Sequence, residues 1–165
     1  MLNAVNHKIS LAYAAEHLKE INWRDIYVWL NTKFFDFEGV VEYAKAVIGD
    51  VPAHEETLVE LLLLPPIEVE VGLLVKEHVA KLVKDVDEAD HEKSLDKISY
   101  LVFNWLYENK EKFKVPLGVV WLVIEDFDYP GTLLDVFVYE NEEDAITFQR
   151  WEKYLRDEAE RWGKV

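Results

Sequence analysis

The sequence predicts an all-α fold, a single-domain bundle of about seven to eight helices. Two observations carry this prediction. Apolar residues recur every three to four positions in most segments, as they do on one face of an α-helix. Residues that start or stop helices separate these segments, among them Asn22, Asp36, Gly49 and Pro65-Pro66. The 165 residues fit one domain of ordinary size, and half of them are hydrophobic. We therefore expect one acidic helical domain over residues 1–165.

The N-terminal part of the chain predicts three helices. The first spans Ser10–Ile21, with its apolar residues on one face. Asn22 is an N-cap for the second, Trp23–Lys33, and Asp25 lies in its first turn, where the helix dipole favours an anion. Asp36 caps the third.

Later segments predict further helices separated by an acidic loop. The loop is Asp85–Glu92, which lacks a periodic apolar face. The predicted helices are His54–Leu64, Ile67–Val86, one from about Ser94, and Asn141–Trp162. Helical spacing among aliphatic residues favours a core position over a binding platform for five aromatic side chains: Trp23, Tyr27, Trp105, Tyr107 and Trp121. Trp151, Tyr154 and Trp162 lie on a highly charged helix, which makes them better candidates for exposure.

The segment 117–139 allows two interpretations. Its two apolar runs are rich in β-branched and aromatic residues, and Pro130-Gly131 lies between them. These features are typical of a small β-hairpin with a type II turn, which would make the fold α+β. The alternative is two buried helices, with Pro116 and Pro130 at their starts.

The chain is strongly acidic. It has 33 Asp and Glu against 18 Lys and Arg, a formal net charge of -15. Residues 1–84 carry a net charge of -5 and residues 85–165 one of -10, so the C-terminal half is the stronger candidate for contact with a cation-rich protein. Such a surface repels nucleic acid and anionic membranes and attracts basic partners. The alternative interpretation is that the charge serves solubility alone.

The sequence lacks the usual signatures of catalysis. Without cysteine there is no disulfide, thiolate metal site or cysteine nucleophile. No two of the five histidines are three or four residues apart, as a helical zinc site requires, and no glycine-rich phosphate loop or GxSxG motif occurs. We expect no catalytic residue, metal or cofactor. The apolar runs are too short to span a bilayer and no signal peptide is visible, so we expect a cytoplasmic protein.

Four segments of the chain together resemble a known bacterial family. They are Trp23–Tyr27, Asp36–Ala44, Asp126–Pro130 with the later Phe137-Val138, and Trp151–Leu155. Their order and approximate spacing, from about residue 20 to 156, are similar to those of the family of unknown function DUF2247. Asp-Phe-Asp-Tyr-Pro is the most specific of these strings.

The resemblance implies a small, largely helical protein, and some members resemble immunity proteins encoded beside secreted toxins. The family pattern over 117–139 is rich in Glu and typical of helix, so we predict helices there. The sequence departs from the family pattern after Tyr139, where Glu140–Asp144 replaces an expected Met-Pro pair and a longer polar loop.

Charge and family resemblance together predict an immunity protein, as in contact-dependent inhibition. It would bind a basic, nuclease-type toxin domain stoichiometrically and would not be an enzyme. Acidic side chains would make the contact, with two aromatic anchors. The candidates are Asp85, Asp87, Glu88, Asp90, Glu92, Asp126, Asp128, Glu140, Glu142, Glu143, Asp144, Trp151 and Tyr154. Asp126 and Asp128 have a second interpretation, a helix-ending turn in which Asp128 caps the helix after Pro130.

Two other functions remain open. The acidic clusters and His91 are compatible with a hydrolase that holds a metal ion through carboxylates. An adaptor or structural domain without catalytic activity is the other alternative.

Overall fold

A computed structural model describes residues 7–47, 69–83, 86–139 and 141–164 of the chain. Eight α-helices and one short 3-10 turn lie within these ranges. The helices are α1 (Leu11–His17), α2 (Trp23–Leu30), α3 (Glu38–Val47), α4 (Val69–Leu82), α5 (Glu88–Glu108), α6 (Pro116–Asp126), α7 (Gly131–Phe137) and α8 (Asp144–Trp162). The described residues form no strand, although Ile9 and Phe35 make one isolated parallel bridge. The prediction of an all-α fold with about eight helices is confirmed.

The chain divides into two compact units. The N-terminal unit, Lys8–Ile98, contains α1 to α4 and the first half of α5. The C-terminal unit is Ser99–Val165 together with Met1–His7. That the whole chain is one domain stays a prediction. The predicted helix His54–Leu64 and the stop signals at Gly49 and Pro65-Pro66 lie outside the described residues.

Side-chain hydrogen bonds cap or precede the starts of the first three helices of the N-terminal unit. The Ser10 side chain accepts a hydrogen bond from the Tyr13 backbone N–H at 3.1 Å. At α2, the Asn22 side chain accepts from the Asp25 N–H, and the Asp25 carboxylate accepts from the Asn22 N–H. This reciprocal capping box satisfies two N–H groups that the helix itself leaves unpaired. Before α3, Asp36 Oδ1 accepts from the Glu38 N–H at 3.0 Å.

A close approach of α1 and α3 requires a glycine. A Cβ atom added to Gly39 would lie 2.5 Å from Leu11 Cβ and 2.9 Å from the Leu11 backbone nitrogen. Only a residue without a side chain fits this separation, so Gly39 sets how closely the two helices pack.

A buried ion pair joins α2 to α5 within the N-terminal unit. The Asp25 carboxylate is 2% exposed and accepts a hydrogen bond from Lys97 Nζ at 2.8 Å and one from Ser94 Oγ at 2.6 Å. The indole N–H of Trp29 donates to the Ser94 carbonyl at 2.7 Å. Asp25 thus caps α2, neutralises a buried lysine and orients a buried serine.

The predicted acidic loop Asp85–Glu92 is wrong over most of its length, because α5 begins at Glu88. Asp87 Oδ1 accepts a hydrogen bond from the Asp90 N–H at 2.7 Å, which satisfies an unpaired donor at the helix start. Glu88 and Asp90 lie in the first turn, where the helix dipole favours anions. The helix therefore starts here because acidic side chains cap and stabilise its first turn, although this segment has no periodic apolar face.

An aromatic cluster fills the core of the C-terminal unit. The Trp151 ring lies 5.2 Å from Tyr107, 5.7 Å from Phe137 and 5.9 Å from Phe148, between ring centroids. Trp151 is only 1% exposed, so the prediction that it lies on the surface is wrong. The charged residues around it in the sequence occupy the other faces of α8, while position 151 faces the core.

Segment 117–139 is helical, and the hairpin alternative is wrong. Helix α6 begins at Pro116, whose missing N–H costs nothing at the first helical position. Helix α7 spans Gly131–Phe137. The β-branched residues follow a helical pattern of burial, which outweighs their intrinsic preference for strands.

Further predicted helix boundaries differ from the observed ones, among them the end of α4, which is Leu82 and not Val86. Helix α1 ends at His17 because Leu18 takes up extended backbone and is buried. Helix α2 ends at Leu30, three residues early. Helix α8 begins at Asp144 because Asn141 has a φ of 56°, which a right-handed helix excludes.

Candidate functional site

The longest stretch without a cation lies in the C-terminal unit. Residues 115–149 contain eight acidic side chains and no Lys, Arg or His. Six of these acids are exposed: Glu125, Asp126, Asp128, Asp135, Glu143 and Asp144. Over these 35 residues the sequence supplies negative charge and no positive charge, and most of the described carboxylates are exposed.

Helix α6, which lies in this stretch, has one buried face and one exposed face. Val120, Val123 and Ile124 are at most 1% exposed and pack into the core. Trp121 and Leu122 lie on the opposite side and are 44% and 49% exposed. The prediction that Trp121 is a core residue is therefore wrong. The positions from Val119 to Ile124 are all apolar, so the sequence does not show which side of the helix faces the core.

Acidic side chains flank the exposed apolar pair. On a helix, residues three or four positions apart are neighbours, so Glu125 lies beside both Trp121 and Leu122, and Asp126 lies beside Leu122. Both carboxylates are exposed.

The turn after α6 is tightly defined. The Tyr129 N–H donates to the Ile124 carbonyl at 3.0 Å, and the Asp128 N–H donates to the Glu125 carbonyl at 2.9 Å. This pair of bonds is the Schellman motif, which normally places glycine at the position of Asp128. Asp128 has a φ of 60°, in the left-handed region that Asp tolerates better than most residues. The interpretation of Asp126 and Asp128 as part of a helix-ending turn fits, but the predicted cap on α7 does not form: Pro130 is the N-cap residue and no side chain caps that helix.

Tyr129 adopts a costly conformation. Its φ is 51°, which is rare for a bulky residue, and it precedes Pro130, which further restricts its backbone. Such a residue costs on the order of 1–3 kcal/mol and persists only where the surroundings enforce it. The side chain is nevertheless 49% exposed, so burial does not explain its placement. We name the exposed residues of this region the α6 surface: Trp121, Leu122, Glu125, Asp126, Asp128 and Tyr129.

The loop before α8 contains acids in two different roles. Glu142 is bound internally, since its carboxylate accepts hydrogen bonds from Arg150 Nε at 2.7 Å and Thr147 Oγ1 at 3.1 Å. This bond raises the pKa of the Arg150 guanidinium. Only 9% of the Glu142 side chain is exposed, so it holds the loop against α8 and is poorly placed to meet a partner. Glu143 and Asp144 are exposed.

The other predicted acidic group belongs to the N-terminal unit. Asp87, Glu88 and Glu92 are exposed around the start of α5. Asp90 pairs with Arg24 at 3.0 Å, which partly neutralises this cluster. Of the remaining acidic candidates, Asp85 and Glu140 lie outside the described residues.

The two predicted aromatic anchors do not form an exposed pair. Burial removes Trp151 from any surface role. Tyr154 is partly exposed and lines a shallow groove between α7 and α8 with Asp135, Arg150 and Lys153. Its ring also makes an edge contact with Phe103, with centroids 6.1 Å apart, so it serves the core as well.

Sequence reasoning missed the apolar part of the α6 surface. Trp121 was assigned to the core, and neither Leu122 nor Tyr129 was proposed for contact. A signal was present: a tryptophan and a leucine occur in the one long segment that lacks any cation.

Two further features of the described residues bear on the other functions. Among these residues, no group of three or more His, Asp or Glu side chains is arranged to hold a metal ion. No helix in the described ranges combines the length and apolarity needed to cross a membrane.

Comparison with known proteins identifies a family. No curated protein and no solved structure matches the chain. The model of one family, described as an uncharacterized protein conserved in bacteria, matches residues 12–159. This range covers most of both units and the whole α6 surface. The chain therefore belongs to the bacterial family DUF2247, as the four resembling segments predicted.

Proposed function

We propose that this protein is an immunity protein, which binds a basic bacterial toxin domain of the nuclease type and neutralises it by stoichiometric docking. One observation carries the proposal: the acidic stretch 115–149, whose described carboxylates are exposed except for Glu142. Negative charge concentrated in this way favours a partner with a matching positive surface.

The chemistry of nucleases makes them suitable partners. A nuclease holds the phosphates of its substrate with Lys and Arg, so its active-site cleft is positively charged. An acidic protein that docks on or beside this cleft competes with nucleic acid and also associates rapidly through electrostatic attraction. The likeness of some family members to immunity proteins supports the same class of function.

Co-expression with a cognate toxin tests the proposal. We expect the toxin domain to be a basic C-terminal domain of a secreted protein encoded next to the gene for this chain. We expect co-expression to restore growth of cells that carry the toxin domain. We also expect the purified proteins to form a 1:1 complex whose affinity falls at least about tenfold between 50 and 300 mM NaCl, because salt screens exposed charges.

Two results would overturn the proposal. One is a toxin domain that stays fully toxic and forms no complex with the folded protein. The other is a complex whose affinity is indifferent to salt, which would exclude the electrostatic mechanism.

A further inference from the structure

Large apolar side chains are exposed in the middle of the most acidic part of the chain. Trp121, Leu122 and Tyr129 are each between 44% and 49% exposed. A scattered surface leucine needs no explanation, but here three such residues lie within nine positions of one helix and its closing turn. Trp and Tyr are also the residue types that most often carry the binding energy of protein interfaces.

We propose that the α6 surface is the toxin-binding surface, and that it binds a cationic amphipathic segment of the toxin domain. The partner segment would place apolar side chains on Trp121 and Leu122 and direct Lys or Arg to Glu125 and Asp126. The identity of the partner rests on the proposed function, while the chemistry of the segment rests on the α6 surface itself.

The acidic side chains around the apolar residues determine which class of partner can bind the α6 surface. A membrane or a nucleic acid would bring phosphates against Glu125, Asp126 and Asp128, and these would repel it. A second copy of this chain docked face to face would set the same acids against each other. A segment with apolar residues flanked by Lys and Arg satisfies both parts of the surface, and cations can also stack on the Trp121 ring.

The strained turn prepares one of the contacts. Asp128 and Tyr129 are fixed by hydrogen bonds to Glu125 and Ile124, and Pro130 stiffens the chain that follows. The backbone at Tyr129 is therefore held in place before any partner arrives. Ordering a contact residue in advance lowers the entropy lost on binding. A strained turn at this position would therefore favour binding if the surface is an interface.

The first experiment probes the surface without the toxin. We would titrate the ¹⁵N-labelled protein with a synthetic helical peptide of Lys and Leu at amphipathic spacing, and follow the six Trp indole signals by NMR. A Trp121→Phe variant assigns the Trp121 signal. We expect this signal to shift more than the other five, and a matched peptide with Ser in place of Leu to bind at least about tenfold more weakly. An unmoved Trp121 signal, or equal binding of both peptides, would overturn the proposed surface.

The second experiment uses the toxin domain and paired variants. Trp121→Gln/Leu122→Gln replaces the two exposed apolar side chains of helix α6 with residues that favour helix. Ile146→Gln is the control, because Ile146 is also 43% exposed but lies on α8. We expect the double variant to weaken binding at least about tenfold and the control less than twofold. Circular dichroism melts verify that each variant is folded.

The two experiments separate the two proposals. If the toxin domain binds the wild type and the Trp121/Leu122 variant equally, the α6 surface is wrong and the immunity function stands. If the peptide shifts Trp121 but the toxin domain does not bind the wild type, the surface stands and the immunity function is wrong.

Discussion

Replacing Lys97 by Met tests whether the buried ion pair holds the N-terminal unit together. Met keeps the length and apolar stem of lysine but leaves the Asp25 carboxylate without its cation. The side chains of Asp25 and Lys97 are only 3% and 9% exposed, so solvent cannot take over this role. Breaking a buried pair by removing one partner costs about 3–5 kcal/mol.

The structure indicates that the loss of stability in Lys97→Met lies at the lower end of this range. In Lys97→Met, the carboxylate of Asp25 keeps its hydrogen bonds from Ser94 Oγ and from the Asn22 N–H. We therefore expect a loss of about 3 kcal/mol in the free energy of unfolding. For a chain of this size that corresponds to a fall in Tm of roughly 6–12 °C.

Urea unfolding followed by circular dichroism measures this loss. Lys153→Met is the matched control, because the Lys153–Asp157 pair has a similar distance, 2.6 Å, but side chains that are 69% and 57% exposed. We expect it to cost under about 0.5 kcal/mol. Adding Asp25→Asn to Lys97→Met removes the uncompensated charge and should restore at least about 1 kcal/mol. Equal effects of the Lys97 and Lys153 variants would refute the reasoning.

Two further predictions concern packing and pH. Gly39→Ala places a methyl group 2.5 Å from Leu11 Cβ and should lower the free energy of unfolding by about 1–3 kcal/mol. Gly131→Ala is the control, because a Cβ at Gly131 meets nothing within 4 Å, and this variant should melt at or above the wild-type temperature. Equal melting temperatures of the two variants would contradict the close approach of α1 and α3. The Tyr107 hydroxyl donates a hydrogen bond to Glu152, and this bond raises the pKa of Tyr107 from 10.0 to about 12. Because the folded state holds this proton more tightly than the unfolded chain, the stability from this bond is complete below about pH 10 and is lost as the pH rises towards 12. Tyr107→Phe should therefore reduce the loss of stability between pH 10 and 12, and an unchanged pH profile would show that the bond does not form.

Local signals in the sequence predicted much of the fold. The caps at Asn22 and Asp36 lie at or close to helix starts because each is a short-range interaction between a side chain and the nearby backbone. The start of α5 at Glu88 depended on the same physics, but an acidic segment without apolar periodicity was interpreted as a loop.

Interactions distant in sequence could not be predicted in this way. Asp25 was placed correctly at the start of α2, but its pairing with Lys97, 72 residues later, follows only from the packing of α2 against α5. The same limit applies to Trp121 and Trp151. Trp121 has apolar neighbours in the sequence but is exposed, and Trp151 has charged neighbours but is buried. Burial depends on which face of a helix meets the core, and sequence neighbours do not show this.

The acidic candidates show the same difference between what local sequence predicts and what depends on the folded structure. Charge alone identified Asp126, Asp128, Glu143 and Asp144, which are exposed. It could not distinguish them from Glu142, whose carboxylate is bound by Arg150 within the protein. The strained Asp128–Tyr129 turn was also invisible to composition, since left-handed backbone at these residues depends on the hydrogen bonds that close α6.

A comparison of two charge variants tests most directly whether the α6 surface meets a basic partner. Glu125→Lys/Asp128→Asn changes the α6 surface, and Asn tolerates the left-handed backbone at position 128. Glu92→Lys/Glu88→Gln changes the net charge by the same amount at the start of α5. Calorimetric titration with the basic toxin domain should show at least about tenfold weaker binding for the first variant and less than threefold for the second. Equal losses would mean that only total charge matters, and a larger loss for the second would place the contact on the N-terminal unit.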